Sequence, residues 1–118
     1  ESRQIPSALT APSGGLFHST IADLSKWAMF NLSHTRLGNT PSAHILGELV
    51  KPQIALGGDY TEVGENASYG LGWLLDEYNG VGRIWHAGLI SDVNACVALF
   101  PSEDIAIAHK PVEYLGKT

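Results

Sequence analysis

His86-Ala87-Gly88 is the stretch of the 118-residue chain whose residue types invite a chemical reading. It ends the short apolar run Arg83-Ile-Trp-His86 and leads into a polar segment, with Asp92 and Asn94 close by in sequence. An imidazole carries a donor and an acceptor nitrogen and titrates near neutral pH, so at a strand end it can hold or pass a proton. On residue types alone the plainer account is a histidine satisfied by a neighbouring carbonyl, with Asp92 and Asn94 as loop residues in water. Cys96, the single cysteine, falls inside an apolar run. A catalytic thiol needs a partly exposed, electropositive setting, so Cys96 is expected to be a small, inert core thiol. His34 and His44 are ten apart with no matching cysteine or carboxylate frame, which argues against zinc. No metal or other cofactor is expected. Gly70-Leu-Gly72 and Gly80-Val-Gly82 lack the third glycine and the helix of a dinucleotide fingerprint, and no Walker loop, His-Glu-x-x-His or EF-hand spacing occurs.

The elements that must position His86 follow from the apolar pattern. Tyr69 to Tyr78 reads as a strand, and Asn79-Gly80-Val81-Gly82 as a turn, because Asn and Gly tolerate the positive φ of hairpin turns. Arg83–His86, Val93–Phe100 and Ile105–Ala108 read as further strands, with Pro101-Ser-Glu-Asp104 turning the chain between the last two. Connections this short favour antiparallel neighbours, since a parallel crossover needs about a dozen residues. Val93, Ala95, Val97 and Leu99 share one face, and Cys96, Ala98 and Phe100 on the other are also apolar. Such strands are usually covered on both sides. Ahead of them, Ser19 or Thr20 can cap a helix, with Asp23 completing a capping box. Ile21, Leu24, Ala28 and Leu32 form its apolar stripe, widened by Trp27. Thr40-Pro41 starts a second helix carrying Ile45, Leu46, Leu49 and Val50, ended at Lys51-Pro52. The expected fold is α+β: an antiparallel sheet of three or four strands with flanking helices. Its segments are a loop over 1–18, helices over 19–52, a loop over 53–68, strands over 69–109 and a tail over 110–118.

Composition excludes several classes. The net charge is −5 with no basic cluster, so no nucleic-acid footprint exists, and a mildly acidic surface chiefly promotes solubility. No run approaches the roughly 18 apolar residues of a membrane span. One cysteine makes no internal disulfide and assigns no compartment. Asn31-Leu-Ser33 and Asn66-Ala-Ser68 fit the glycosylation sequon, a pattern short enough to arise by chance.

Tyr69-Gly-Leu-Gly-Trp, then His86-Ala-Gly, then an apolar strand leading into Phe-Pro-Ser-Glu-Asp-Ile-Ala-Ile, resembles the C-terminal part of serine β-lactamase-related proteins. The likeness is to the class C β-lactamase, D-alanyl-D-alanine peptidase and esterase group. Ala11-Pro-Ser-Gly-Gly-Leu-Phe17 and Thr20-Ile-Ala-Asp-Leu-Ser-Lys-Trp27 look like the same family's loop and helix, so the resemblance runs from about Ala11 to Ile107. It implies a partial β-lactamase/transpeptidase-like fold spanning 1–118 as one C-terminal piece of a domain. It also implies that the tail is too short for the family's long C-terminal helix, and that one sheet face stays uncovered because the family's sheet also takes strands and helices from an N-terminal part.

By the same resemblance, His86-Ala87-Gly88 occupies the place of the Lys-Thr-Gly motif of penicillin-recognising enzymes. His86 would donate a hydrogen bond toward substrate or nucleophile. Gly88 would let the strand approach the substrate closely, and the Leu89 N–H would serve the oxyanion hole. Ala87 replaces a threonine and loses a hydroxyl contact, which leans away from β-lactam carboxylates and toward esterase-like relatives. The family's Ser-x-x-Lys and Tyr-x-Asn are missing. The positions three before Lys26, Lys51, Lys110 and Lys117 hold Asp23, Glu48, Ile107 and Tyr114, and Ser91-Asp92 is followed by Val93. The resemblance thus implies part of a serine hydrolase acting on a small acyl ester or amide, silent as this chain alone. A catalytically dead relative serving as a binding or scaffold module, or a truncated gene product without activity, are the other readings.

Overall fold

The computed structural model describes residues 17–35, 41–57, 63–90 and 93–109. Residues 1–16 of the expected 1–18 loop, Asp92 and the tail from Lys110 lie outside them. Among the described residues two helices, α1 (Ile21–His34) and α2 (Pro41–Leu49), precede six strands. The strands are β1 (Ile54–Ala55), β2 (Glu65–Tyr69), β3 (Leu74–Tyr78), β4 (Val81–Ile90), β5 (Val93–Phe100) and β6 (Ile105–His109). They form one antiparallel sheet in the order of the sequence, as short connections require.

Local chemistry accounts for the boundaries. Thr20 caps α1: its Oγ1 accepts from the Asp23 N–H at 3.1 Å and donates to the Asp23 carboxylate at 3.1 Å. Between β3 and β4, Asn79 and Gly80 both take positive φ (51° and 77°), the signature of a two-residue type I′ hairpin. Asp104 (φ 59°) turns the chain into β6.

The core lies on one face of the sheet, under α1. Ala28 and Leu32 pack with Trp73, Val97 and Leu99, and Leu24, Leu49, Val50, Ile84 and Ala106 close in around them. Ile84, Leu99 and Ala106 stand side by side across three strands, so their shared face is set by register. The α1 stripe is narrower than expected, since Ile21 and Trp27 are about half exposed. Asn31 is buried instead, its Nδ2 donating to the Trp27 carbonyl at 2.8 Å one turn back. A glycan on that buried amide would have to displace the core around it.

Five expectations need correction. Among the described residues the sheet has six strands, because the supposed loop over 53–68 holds β1 and β2. The run from Tyr69 to Tyr78 is a hairpin rather than one strand: β2 ends at Tyr69, Gly70 donates back to the Trp73 carbonyl at 2.8 Å, and β3 starts at Leu74. The strand bearing His86 continues to Ile90, because β5 pairs with it along the whole way. Burial on both faces of the last strands is incomplete, as Ile105 and Ile107 are each about half exposed. Cys96 is likewise only partly buried.

Candidate functional site

The strands are staggered, and the stagger defines the site. β3 pairs with β4 only as far as Leu74↔Trp85, while β5 pairs with β4 from Ile84 to Ile90. His86 is therefore the first residue of β4 past the β3 ladder. From there to Ile90, β4 has β5 on one side and, among the described residues, no strand on the other.

His86, Ala87, Gly88 and Leu89 are all on this segment, consecutive along one strand rather than at a strand end. His86 is exposed, Ala87 half-buried, and Leu89 is 73 % exposed. Asn94 sits opposite Leu89 and is also exposed. A Cβ placed on Gly88 would meet nothing within 4 Å. Internal packing does not demand glycine there, and the strand surface in front of it is open.

The histidine has a partner that the sequence reading missed. Tyr69, the last residue of β2, places its hydroxyl 3.1 Å from the His86 Nε2. The two rings meet edge to face, with centroids 6.1 Å apart at 72°, a favoured aromatic arrangement. Seventeen residues separate the pair. The only signal available was that Tyr69 opens the Tyr-Gly-Leu-Gly-Trp hairpin. Tyr69 reaches His86 past the start of β3, where the intervening strand has ended.

Behind this pair lies a charged anchor. The Asp76 side chain is fully enclosed (0 % exposed) and Arg83 nearly so (15 %). Arg83 Nε and Nη2 donate to the two carboxylate oxygens at 2.8 and 2.6 Å. The Trp85 indole N–H donates to Oδ2 at 3.0 Å, and so does the Gly64 N–H at 2.7 Å. The guanidinium also lies over the Trp85 ring, 4.4 Å from its centroid. Burial pushes the Asp76 carboxyl up, but the Arg83, Gly64 and Trp85 donors together outweigh it and hold it below the usual carboxylate range. The network ties the β2 approach, β3 and β4 together one residue before His86.

Burial pushes the Cys96 thiol up, with the Arg83 charge offsetting only part of the effect. Its thiolate fraction near neutral pH is accordingly small. Reaction with a disulfide reagent at pH 7.5 is expected to run severalfold slower than for free cysteine. A rate equal to or above the free thiol's would refute this. Among the described residues no group of three or more His, Cys, Asp or Glu side chains could hold a metal. No helix there is long and apolar enough to cross a membrane.

A family model described as Beta-lactamase matches residues 1–109 of the chain. No curated protein and no solved structure gives a significant match.

Proposed function

The chain belongs to the beta-lactamase family, and from that premise we propose that it is part of a serine hydrolase cleaving esters or amides of a small acyl substrate through an acyl-enzyme. The observation that carries the reading is His86-Ala87-Gly88 on the stretch of β4 with one open edge, its histidine exposed and its glycine unobstructed. In such a reaction a serine oxygen attacks the acyl carbon, a tetrahedral oxyanion forms, and the alcohol or amine leaves with a proton; water then releases the acid. His86 donates a hydrogen bond to the substrate or to the nucleophile's surroundings. Gly88 lets the acyl group lie against the strand, and the Leu89 N–H serves the oxyanion. Ala87 offers no hydroxyl for a β-lactam carboxylate, which favours esterase-like chemistry over β-lactam recognition of the penicillin-binding-protein-like kind. Ser-x-x-Lys and Tyr-x-Asn do not occur in the sequence, so the nucleophile and its base must come from other polypeptide, and the 118 residues are silent by themselves. That same absence favours the second reading, a binding module that takes an acyl ligand without turning it over.

Incubated with p-nitrophenyl acetate or nitrocefin, the purified chain is expected to stay at the background rate. A polypeptide carrying Ser-x-x-Lys and Tyr-x-Asn ahead of Glu1 is expected to turn over the ester and to show an acyl adduct on that serine by mass spectrometry. In it, His86→Ala should lower kcat/KM about tenfold, the worth of one hydrogen bond. Turnover by the chain alone that disappears in His86→Ala would overturn the claim of silence. Unchanged kcat/KM in the active polypeptide would remove His86 from the mechanism. Saturable ester binding with no adduct would favour the binding module.

A further inference from the structure

We propose that Tyr69 is a positioning residue for His86, fixing its neutral imidazole in the Nδ1–H tautomer; the catalytic meaning of this rests on the role given to His86 above, the tautomer itself does not. Between the Tyr69 hydroxyl and the His86 Nε2, 3.1 Å apart, there is room for one proton. A phenol is a better donor than acceptor, because its oxygen lone pair is drawn into the ring, whereas the unprotonated nitrogen of imidazole is a strong acceptor. The proton therefore sits on Tyr69, Nε2 accepts it, and the imidazole proton is placed on Nδ1. The hydrogen bond at one ring nitrogen decides the state of the other.

The anchor is itself held on both sides. Tyr69 pairs with Ile54 on β1 and with Leu74 on β3, and its carbonyl accepts from the Gln53 N–H at 2.9 Å. His86 is exposed and lies past the β3 ladder, where a lone imidazole would turn freely. The edge-to-face contact and the hydroxyl together give it one orientation. Among the described residues Nδ1 has no hydrogen-bond partner, so Nδ1–H is the donor left for a bound molecule. A free histidine prefers the opposite tautomer, with its proton on Nε2. The tyrosine thus selects which nitrogen donates.

The test is long-range ¹H–¹⁵N correlation of the ¹⁵N-histidine-labelled chain at pH 8.5, where ordinary imidazoles are neutral, with His86→Gln identifying the His86 signals by their loss. The expected pattern is an unprotonated Nε2 and a protonated Nδ1 in the wild type. Tyr69→Phe keeps the ring contact and removes only the hydroxyl, and it is expected to return His86 to the Nε2–H form with the far-ultraviolet circular dichroism unchanged. A wild-type His86 protonated on Nε2 would overturn the proposal, whether or not the variant folds. So would a Tyr69→Phe spectrum identical to that of the wild type. Because no turnover is read, failure here is distinct from failure of the hydrolase reading, which shows as absence of an acyl adduct.

Discussion

Asp76→Asn is expected to cost about 3–5 kcal/mol of folding stability, the range for removing one partner of a buried ion pair. The carboxylate is fully enclosed and takes four donors, two from Arg83 and one each from Trp85 and Gly64. An asparagine amide supplies one acceptor oxygen and turns an NH₂ toward groups that can only donate. It also leaves the nearly enclosed Arg83 cation without its counter-charge. The effect has a pH signature. The folded-state carboxyl titrates below its unfolded value, ordinarily about 3.9, because its hydrogen bonds outweigh the cost of burial. Its stabilisation is therefore complete above the unfolded value and is lost as pH falls through the lower, folded one. Urea midpoints should separate wild type and variant widely at pH 7 and converge as the pH is taken below about 3.9. A gap that stays constant to pH 2 would show that Asp76 contributes by shape rather than by charge.

This anchor was not drawn from the sequence, where Asn79 to Gly82 reads as the turn and the next strand begins at Arg83. The turn proper is only Asn79-Gly80, and counting outward from it sets Tyr78 opposite Val81 and Asp76 opposite Arg83. An acid and a base facing each other on a hairpin are a pair waiting to be drawn. The strands that went unread lack such a pattern. Glu65-Asn66-Ala67-Ser68 carries no alternating apolar face, and of its side chains only Ser68 is buried. β2 exists because β3 offers it a ladder, with a register irregularity between Glu65 and Ser68 where Asn66 takes a φ of 54°. β4 likewise runs past His86 although Ala87-Gly88 has weak strand preference, since the apolar β5 recruits it.

The site divided in the same way. His86-Ala87-Gly88-Leu89 is a local motif, and local motifs survive in a sequence. The Tyr69 hydroxyl reaches His86 only because β3 begins one residue too late to stand between them, with Leu74 facing Trp85. No composition or spacing rule encodes where a neighbouring strand starts. The uneven cover of the sheet was harder still. Trp85 and Ala98 are buried on the face opposite α1, while Ile105 and Ile107 at the β6 edge of that face are half exposed. Both groups read as equally apolar.

Gly70→Ala is expected to destabilise the chain by about 3 kcal/mol, the upper end of overpacking costs, and to do so for a reason unlike that of its neighbour Gly72. A Cβ on Gly70 would run into the Leu49 carbonyl oxygen at the end of α2 and crowd the Lys51 carbonyl at 3.2 Å. Neither backbone can yield cheaply. The Leu49 oxygen accepts the Leu71 N–H at 2.8 Å, and the Gly70 N–H is committed to Trp73. Gly72 instead sits in open space at a φ of +86°, with nothing within 4 Å of a Cβ. There alanine meets only the left-handed backbone penalty of about 1–2 kcal/mol, which asparagine partly relieves. Thermal melts should thus rank Gly72→Asn above Gly72→Ala and both above Gly70→Ala, with Gly70→Asn no better than Gly70→Ala. Rescue of position 70 by asparagine would mean that conformation, not space, dictates glycine there. If space dictates it, the backbone contact of Gly70 and Leu71 with the end of α2 sets how closely the hairpin seats there, beside the packing of Trp73 with Leu49 and Val50. A shift at Gly70 then carries Tyr69, its neighbour in sequence, away from His86, so in a folded Gly70→Ala the His86 nitrogens should report the move while those of Gly72→Asn do not.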